Sequence, residues 1–279
     1  MRLHNLLGAA GVLTLSLASA PAFAQDYADE PAFNGFYVGG SFGATVQNND
    51  VGEQILFDRG SNGSFGETIT TGAGANAFSP GFCNGAATSN ANVACRNDKD
   101  GIEYYARLGV DQQYGKWVIG ALAEFGKTEA RDSVTAFSTT PAFYTMTREL
   151  DWNAALRARA GYVAGQSTLF YGTFGAAYAK LDRSFSTSNA ANSFTDRNDD
   201  DMAWGWQAGG GVEQKVGSNF SVGFEYLYSR YNDKDDGIRV GTGTAGATNP
   251  FVLAGGADMM RSDRKFDFHS IRVTGAFRF

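Results

Sequence analysis

The C-terminal segment most constrains the fold of this 279-residue chain, because its side chains alternate strictly between two kinds. One face carries the apolar set Ile271, Val273, Gly275, Phe277 and Phe279. The other face carries the small and basic set Ser270, Arg272, Thr274, Ala276 and Arg278. A period of two over ten residues predicts a β-strand between two different environments. In a soluble sheet the polar face would meet water, whereas in a transmembrane barrel the apolar face meets lipid and the polar face lines the interior.

The first 24 residues have the pattern of a secretory signal peptide. Arg2 and His4 precede an apolar stretch, Leu6 to Leu17, that is too short to span a bilayer. Ala22-Phe23-Ala24 matches the cleavage pattern, so we expect cleavage after Ala24 and a mature domain over residues 25–279. No later stretch approaches the roughly 20 apolar residues of a membrane helix. The exported chain is therefore expected to be either soluble or a β-barrel.

Composition favours strands over helices and argues against one class of partner. The chain contains 36 Gly, 22 Phe and 12 Tyr but only 5 Pro. Its formal net charge is −6, and an acidic surface argues against nucleic acid as a partner.

The same alternation recurs along the chain and sets the topology. Besides the strand that follows residue 264, strands are predicted over residues 34–46, 102–112, 117–128, 147–163, 168–181, 202–214 and 220–231. Short turns at Gly115, Gly165 and Gly217 alternate with long connections over residues 47–99, 129–146, 182–200 and 232–264. This pattern predicts an all-β fold, an eight-stranded antiparallel up-and-down transmembrane β-barrel with long extracellular loops and both ends in the periplasm. A ten-stranded barrel stays open, because the first long loop could supply two more strands.

The long loops carry three further features. Cys83 and Cys95 are expected to form a disulfide that closes a small surface loop in an oxidising compartment. The stretch from Glu53 to Thr71 is a candidate hairpin, with Asn62-Gly63 as its turn. The acidic residues at 199–201 and 233–236 are interpreted as solvated loop charge, with divalent cations shared with lipopolysaccharide phosphates as the alternative.

Strand parity places a nearly balanced set of charges inside the barrel. The basic members are Arg107, Arg157, Arg159, Arg272 and Arg278. The acidic members are Glu103, Asp111, Glu124, Asp151, Glu213 and Glu225. Because an eight-stranded barrel is just wide enough to be filled by side chains, these charges must pair or keep water. Near-balance favours a plugged or barely conducting interior over a selective channel, and Glu103 and Arg278 are expected to be the most solvated members.

Catalysis and cofactor binding find little support in the sequence. After the signal peptide the only histidine is His269, which parity places on the lipid face. Nucleophilic and acid–base catalysis usually depend on a positioned histidine. We therefore predict a protein that is not an enzyme, with no catalytic residues, no metal site and no cofactor.

Several segments resemble a known family. They are Leu150 to Tyr162, Trp204 to Glu213, Phe224 to Tyr228, His269 to Val273, and the final Arg278-Phe279. Together they resemble the small porin-like outer-membrane barrels of alphaproteobacteria, which are related to the transmembrane domain of OmpA. The terminal Phe279, with Phe277, resembles the sorting signal that the barrel assembly machinery reads in such proteins.

Two functional hypotheses follow from the residues and the resemblance. The first is a structural outer-membrane protein that supports envelope integrity, with weak porin activity as a further expectation. The second is a surface protein whose loops, chiefly residues 47–99, contact host or neighbouring cells. The expected partners are outer-membrane lipid and lipopolysaccharide, the barrel assembly machinery, and ligands on a host or cell surface.

Overall fold

The computed structural model describes residues 31–47, 52–98, 100–197, 201–233 and 237–279, so the predicted signal peptide lies outside the described part. The elements in chain order are β1 (Gly35–Gln47), β2 (Ile55–Arg59), β3 (Gly81–Asn84), β4 (Ala86–Ala87), β5 (Cys95–Arg96), β6 (Gly101–Tyr114), β7 (Trp117–Thr128), β8 (Arg131–Ser138), β9 (Ala142–Ala164), β10 (Thr168–Thr187), β11 (Ser193–Asp196), β12 (Met202–Lys215), β13 (Phe220–Asn232), β14 (Gly237–Gly241), α1 (Pro250–Leu253), β15 (Ala257–Arg261) and β16 (Lys265–Arg278).

Eight of these strands close into an antiparallel barrel. The ring runs β1-β6-β7-β9-β10-β12-β13-β16, and β16 pairs with β1 to close it. The predicted eight-stranded barrel is therefore confirmed, and the ten-stranded alternative is wrong because β2 and β3 pair outside the ring. Gly115 and Gly165 take positive φ angles of 60° and 65° in two of the short turns, a conformation that glycine adopts without steric cost. We call the end with these turns the turn end and the opposite end the loop end.

None of the helices among the described residues is long and apolar enough to cross a membrane. The short helix α1 begins at Pro250, and the side chain of Asn249 caps it by accepting a hydrogen bond from the backbone N–H of Phe251.

The outer wall of the barrel is apolar and its aromatic residues gather at two levels. Leu108, Leu156 and Ile271 are each more than 60% exposed, which is the inverse of a soluble sheet. Trp117 and Tyr162 make an edge-to-face contact at the turn end, with ring centroids 5.3 Å apart. A second girdle lies toward the loop end, on β7, β9, β10 and β12, and contains Phe125, Trp152, Tyr178 and Trp204.

The connections at the loop end contain strands that extend the barrel sheet and strands that form a separate four-stranded sheet. β9 and β10 continue beyond the barrel, and β8 and β3 pair alongside β9. A separate sheet has the order β11-β14-β15-β2. We call all of these strands beyond the barrel, together with the segments that connect them, the cap. A cluster of buried apolar side chains, which includes Phe57, Phe78, Tyr144, Met259 and Phe251, packs between its strands.

Strand β8 of the cap was not predicted from the sequence because, from Asp132 onward, neither of its faces meets solvent. Both sides of β8 are buried: Val134 and Ala136 join the cap core, while Thr135 is covered by the chain that follows β3. The Thr135 hydroxyl donates to the Gly85 carbonyl at 2.8 Å. A strand buried on both faces does not alternate between polar and apolar residues.

The first long connection contains the predicted disulfide and a modified version of the predicted hairpin. Cys83 on β3 is bonded to Cys95 on β5, which confirms the disulfide. The turn at Asn62-Gly63 exists, and the Asp58 carboxylate accepts both backbone N–H groups, at 2.9 Å and 2.7 Å. The hairpin itself is reduced to one bridge between Asp58 and Phe65, because β2 pairs with β15 instead.

Candidate functional site: the filled barrel interior

The middle of the barrel holds a layer of three arginines and three glutamates. Its members are Glu103, Arg107, Glu124, Arg157, Glu225 and Arg272, and we call it the middle charge layer. Arg157 donates to Glu124 and to Glu225, each at 2.6 Å. Arg272 likewise contacts two carboxylates, that of Glu103 at 2.6 Å and that of Glu124 at 2.9 Å. Each of these guanidinium groups therefore bridges two carboxylates, a geometry to which its planar fork is suited.

A tyrosine lies against the middle charge layer and fits because a glycine faces it. The Arg272 guanidinium lies 4.2 Å from the centre of the Tyr105 ring. A Cβ atom on Gly126 would collide with that ring. The glycine on β7 thus leaves room for the tyrosine that covers the arginine.

A second layer lies nearer the turn end and joins Asp111, Arg159, Glu213 and Arg278. Arg278 reaches Asp111 at 3.0 Å and Glu213 at 3.4 Å, and Arg159 pairs with the same two carboxylates. We call this the lower charge layer. Below it, a floor of Phe33, Val118, Val163, Leu169 and Tyr171 fills the turn end.

Two members of the predicted set are more enclosed than the sequence suggested. Glu103 and Arg278 were expected at solvated strand ends, yet they are 0% and 5% exposed. Glu103 is held by Arg272 and by the hydroxyl of Ser270, which donates at 3.0 Å. Arg278 lies over the Phe33 ring at 5.6 Å, so residues before β1 cover the end of β16.

Asp151 does not belong to the interior, which corrects the parity argument. In the pairing of β9 with β10, Lys180 lies opposite Trp152 and Leu181 lies opposite Leu150. Asp151 is therefore a bulged residue, with no residue of β10 opposite it in the register. A bulge shifts the alternation by one residue. Asp151 therefore points outward, where it contacts Lys127 and Lys180, and Leu150 points inward.

Beyond the middle charge layer the interior becomes apolar and then charged again. The apolar layer includes Leu150, Ala155, Tyr231, Phe266 and Phe268. The upper charge layer, where the barrel meets the cap, contains Glu53, Asp132, Arg148, Arg183, Asp233 and Arg261.

The upper charge layer ties together all four connections at the loop end. Arg261 holds Glu53 through two contacts of 2.8 Å, and Arg148 holds Asp132 at 2.7 Å. Asp233 accepts from Arg148 at 3.3 Å and from Arg183 at 2.8 Å. Asp233 was interpreted as solvated loop charge and is instead buried, whereas Asp199 and Asp200 lie outside the described residues. Sequence reasoning missed this layer because all of its members except Arg148, which lies on β9, come from the four predicted connections, and no periodicity relates these connections to one another.

Two carboxyl groups in the cap have raised pKa values. Burial and the nearby charge of Asp132 raise the pKa of Asp98 to about 7. The Asp98 carboxyl accepts the backbone N–H of Ser133 at 2.7 Å, which ties it to β8. Burial also raises the pKa of Glu53, although Arg261 opposes it. At Asp132, burial raises the pKa, but Arg261 and Arg148 outweigh it and leave the pKa lowered.

The sequence of the chain matches a known family of barrel proteins. Residues 10–251 match the sequence profile of the outer membrane protein beta-barrel domain family, which is most of the chain. The chain belongs to this family. It is an outer-membrane β-barrel, and its loop end faces the outside of the cell.

Individual relatives of the barrel family are distant. The chain is 26% identical to the 31 kDa outer-membrane immunogenic protein of Brucella melitensis over 162 residues. That match covers 58% of this chain and 59% of the relative, and the Brucella suis protein of the same description matches equally. The match thus spans less than two thirds of the length of these curated relatives.

Solved structures of similar proteins are also distant. The attachment invasion locus protein Ail of Yersinia pestis, solved with the heparin analogue sucrose octasulfate, is 10% identical with a TM-score of 0.33. That comparison covers 88% of this chain and 99% of Ail. Neisserial surface protein A is 8% identical with a TM-score of 0.34, over 88% of this chain and 97% of that one.

His269 lies on the outer wall, among aromatic side chains. Its Nδ1 atom lies 2.6 Å from the Tyr226 hydroxyl, and its ring lies near those of Tyr226 and Tyr228. Among the described residues, no group of three or more His, Cys, Asp or Glu side chains could hold a metal ion. The charged residues inside the barrel of this family member are joined in ion pairs.

The two terminal phenylalanines lie on the outer wall at the turn end. Phe277 is 46% and Phe279 72% exposed, and their rings meet edge to face with centroids 5.3 Å apart. The backbone N–H of Phe279 donates to the Phe36 carbonyl of β1 at 2.9 Å. Their role as a sorting signal remains a prediction.

Proposed function

We propose that this protein is a structural component of the outer membrane that supports envelope integrity and conducts few or no ions. The observation that carries the proposal is the filled interior. Arg148, Arg157, Arg261 and Arg272 are among the largest fully buried side chains, and each is held by carboxylates inside the barrel or at its mouth.

The charge balance of the interior favours a closed barrel over a channel. A selective pore usually presents one dominant sign to the ion, with groups that can exchange partners. Here each guanidinium of the middle charge layer contacts two glutamates, and removal of one partner would leave a charge buried without compensation. The apolar floor and the apolar layer add two further barriers to hydrated ions.

Conductance of the refolded mature chain in a planar bilayer tests this proposal. We expect no steady openings from the wild-type chain, with heat-modifiable migration on gels showing that the barrel is folded. Steady wild-type openings that change with Arg157→Ala, but not with Lys116→Ala in the exposed turn at the turn end, would contradict it.

The envelope role has a separate test. A strain without this chain is expected to become sensitive to detergent and to regain resistance when the wild-type chain is supplied. A strain that loses no resistance would contradict the structural role, whatever the conductance of the barrel.

A second candidate function is binding to a host or neighbouring cell through the cap. The specific observation in its favour is that the cap has its own apolar core and a disulfide, so it can present a fixed surface. Deletion of residues 52–98 separates the two functions. Loss of cell attachment with unchanged detergent resistance would favour the cap function, whereas the reverse result would favour the structural one.

A catalytic role is not part of either proposal. His269 is half-buried on the outer wall and its Nδ1 atom lies 2.6 Å from the Tyr226 hydroxyl, so neither proposal gives it a catalytic role. Substitution His269→Ala is expected to leave both envelope resistance and cell attachment unchanged.

A further inference from the structure

Four segments without any ionisable side chain meet at the end of the cap that points away from the barrel. They are residues 70–76, 138–142, 186–192 and 241–249, and we call their surface the uncharged tip. The second segment joins β8 to β9, and the third contains the end of β10. The part of β9 between Ala142 and Arg148 spans roughly 20 Å at about 3.3 Å per residue. The uncharged tip therefore stands well beyond the upper charge layer, to which Arg148 belongs.

Backbone hydrogen bonds join neighbouring segments of the uncharged tip. The Thr139 N–H donates to the carbonyl of Ala77, the residue that follows the first segment, at 2.7 Å. The Thr244 N–H donates to the Ala191 carbonyl at 2.8 Å, which joins the fourth segment to the third. The segments thus form one surface rather than four separate loops.

A cluster of asparagine side chains fixes the shape of this surface. The side chain of Asn192 donates to the Gly241 carbonyl at 3.0 Å and accepts from Asn189 and Asn249, also at 3.0 Å each. Asn189 further donates to the hydroxyl of Tyr144, a member of the cap core, at 2.9 Å. Because these bonds hold the loops in place beforehand, a ligand of the tip has less conformational entropy to remove on binding.

The uncharged tip presents hydroxyl groups to its surroundings. Exposed threonines with no side-chain hydrogen bond to the described part of the chain are Thr139, Thr140, Thr242 and Thr248. Each of their hydroxyls can donate one hydrogen bond and accept two. The exposed residues between them are small, among them Ala73, Gly74, Ala190, Gly243 and Gly246. No bulky side chain of the four segments therefore covers the hydroxyl groups.

The residue types of the uncharged tip select one class of partner. Protein interfaces are enriched in aromatic residues, Met and Arg, and none of these lies in the four segments. Nucleic acids and other polyanions are bound through Lys and Arg, which the segments also lack. Hydroxyl groups and small apolar side chains instead match the hydroxyl groups and C–H surfaces of uncharged sugars.

We propose that the uncharged tip binds an uncharged polysaccharide at the surface of another cell. The threonine hydroxyls exchange hydrogen bonds with sugar hydroxyls, and the alanine and threonine methyl groups contact the faces of the sugar rings. This proposal rests on the cap function described above and gives that function a class of ligand. Because no charges take part, binding does not depend on ionic strength.

Binding of polysaccharides to the refolded mature chain, measured by surface plasmon resonance, tests the proposal. The chain is kept in micelles of a detergent without a sugar headgroup, so that the detergent does not compete. The probes are dextran, mannan and galactan, with dextran sulfate as the matched polyanion. We expect at least one neutral polysaccharide to bind more tightly than dextran sulfate, with the same affinity from about 0.05 to about 0.5 M NaCl.

Substitution of the four exposed threonines locates the site. Thr139→Ala/Thr140→Ala/Thr242→Ala/Thr248→Ala is expected to weaken binding by at least about tenfold, since each lost hydrogen bond costs a few-fold in affinity. The same four positions changed to Ser keep the hydroxyl groups and should keep most of the binding. Ser184→Ala/Thr195→Ala removes two exposed hydroxyls of the cap outside the tip and should leave binding unchanged.

Three results would overturn the proposal: no binding of any neutral polysaccharide, tighter binding of dextran sulfate, or unchanged binding by the alanine variant. The cap function has its own readout, which is cell attachment after deletion of residues 52–98. Attachment that is lost on this deletion, in a chain that binds none of the neutral polysaccharides, would refute the ligand class and leave the cap function standing.

Discussion

At the scale of single residues, the buried charges of the middle charge layer share partners, so no member can be removed without leaving others uncompensated. Arg157 is fully buried and bridges Glu124 and Glu225. Arg107 also contacts both glutamates, and Arg272 contacts Glu124, so the layer is a network rather than a set of independent pairs. Loss of one member leaves the remaining charges unbalanced in a region of low dielectric constant.

Arg157→Ala is therefore expected to lower the free energy of unfolding by about 3–5 kcal/mol. Urea unfolding of the refolded chain, followed by tryptophan fluorescence, measures the change. Lys116→Ala is the matched control, since an exposed basic residue should change stability by less than about 0.5 kcal/mol. A loss below about 1 kcal/mol in Arg157→Ala would show that the layer is not a tightly coupled network.

Asp98 gives the cap a pH dependence near neutrality. Its pKa of about 7 in the folded cap exceeds the usual value of about 3.9, so the folded state binds the proton more tightly than the unfolded state. The stabilisation is complete below about pH 4 and is lost as the pH rises through about 7.

Asp98→Asn should remove most of this dependence, because the amide stays neutral. We expect the melting temperature of the wild-type cap to fall between pH 5 and pH 8 by more than that of the variant. Circular dichroism of both proteins at the two pH values measures the difference. Equal falls in both would assign the pH dependence to another group, such as Glu53, whose pKa burial also raises.

At the scale of elements, the strands that separate lipid from the interior were predictable and the cap strands were not. β16 and β13 each carry one apolar and one polar face, so their alternation gave both their existence and their orientation. β8 is buried on both sides, and β14 and β15 have only five residues each. None of the three therefore shows a clear alternation of polar and apolar side chains.

The interior charges were predictable to the extent that parity holds along a strand. Parity placed Arg157 and Arg159 correctly on β9 because no irregularity separates them. It failed at Asp151, where the bulge reverses the two faces. Partners could not be predicted at all, since residues such as Arg272 and Glu103 are 169 positions apart in the sequence and meet only after the ring closes.

The disulfide is an element of the cap alone. Cys83 and Cys95 are 12 residues apart, and β4 and β5 lie at or within the loop they close. Cys83→Ser/Cys95→Ser is expected to destabilise this segment by about 3 kcal/mol at most, through the greater entropy of the open loop. Proteolysis at the exposed tip around Val93 should become faster, while heat-modifiable migration of the barrel stays unchanged. A loss of heat-modifiable migration in the variant would mean that the disulfide also stabilises the barrel.

At the scale of the whole molecule, β9 passes through every layer in turn. From the turn end it presents Arg159 to the lower charge layer, Arg157 to the middle charge layer and Leu150 to the apolar layer. It then presents Arg148 to the upper charge layer and Tyr144 to the cap core. The barrel is thus closed at several successive levels, and the cap covers an interior that is already filled.

This order predicts that the cap is not what closes the barrel. Deletion of residues 52–98 removes Glu53, β2 and the disulfide segment, but leaves the lower and middle charge layers and the apolar floor intact. The deletion variant should still show heat-modifiable migration and should remain silent in planar bilayers. Adding Arg157→Ala to it should also give no steady openings, because the lower charge layer and the apolar floor still close the turn end. Full-length Arg157→Ala is the matched control. Steady openings from the deletion variant alone would place the barrier to ions in the cap.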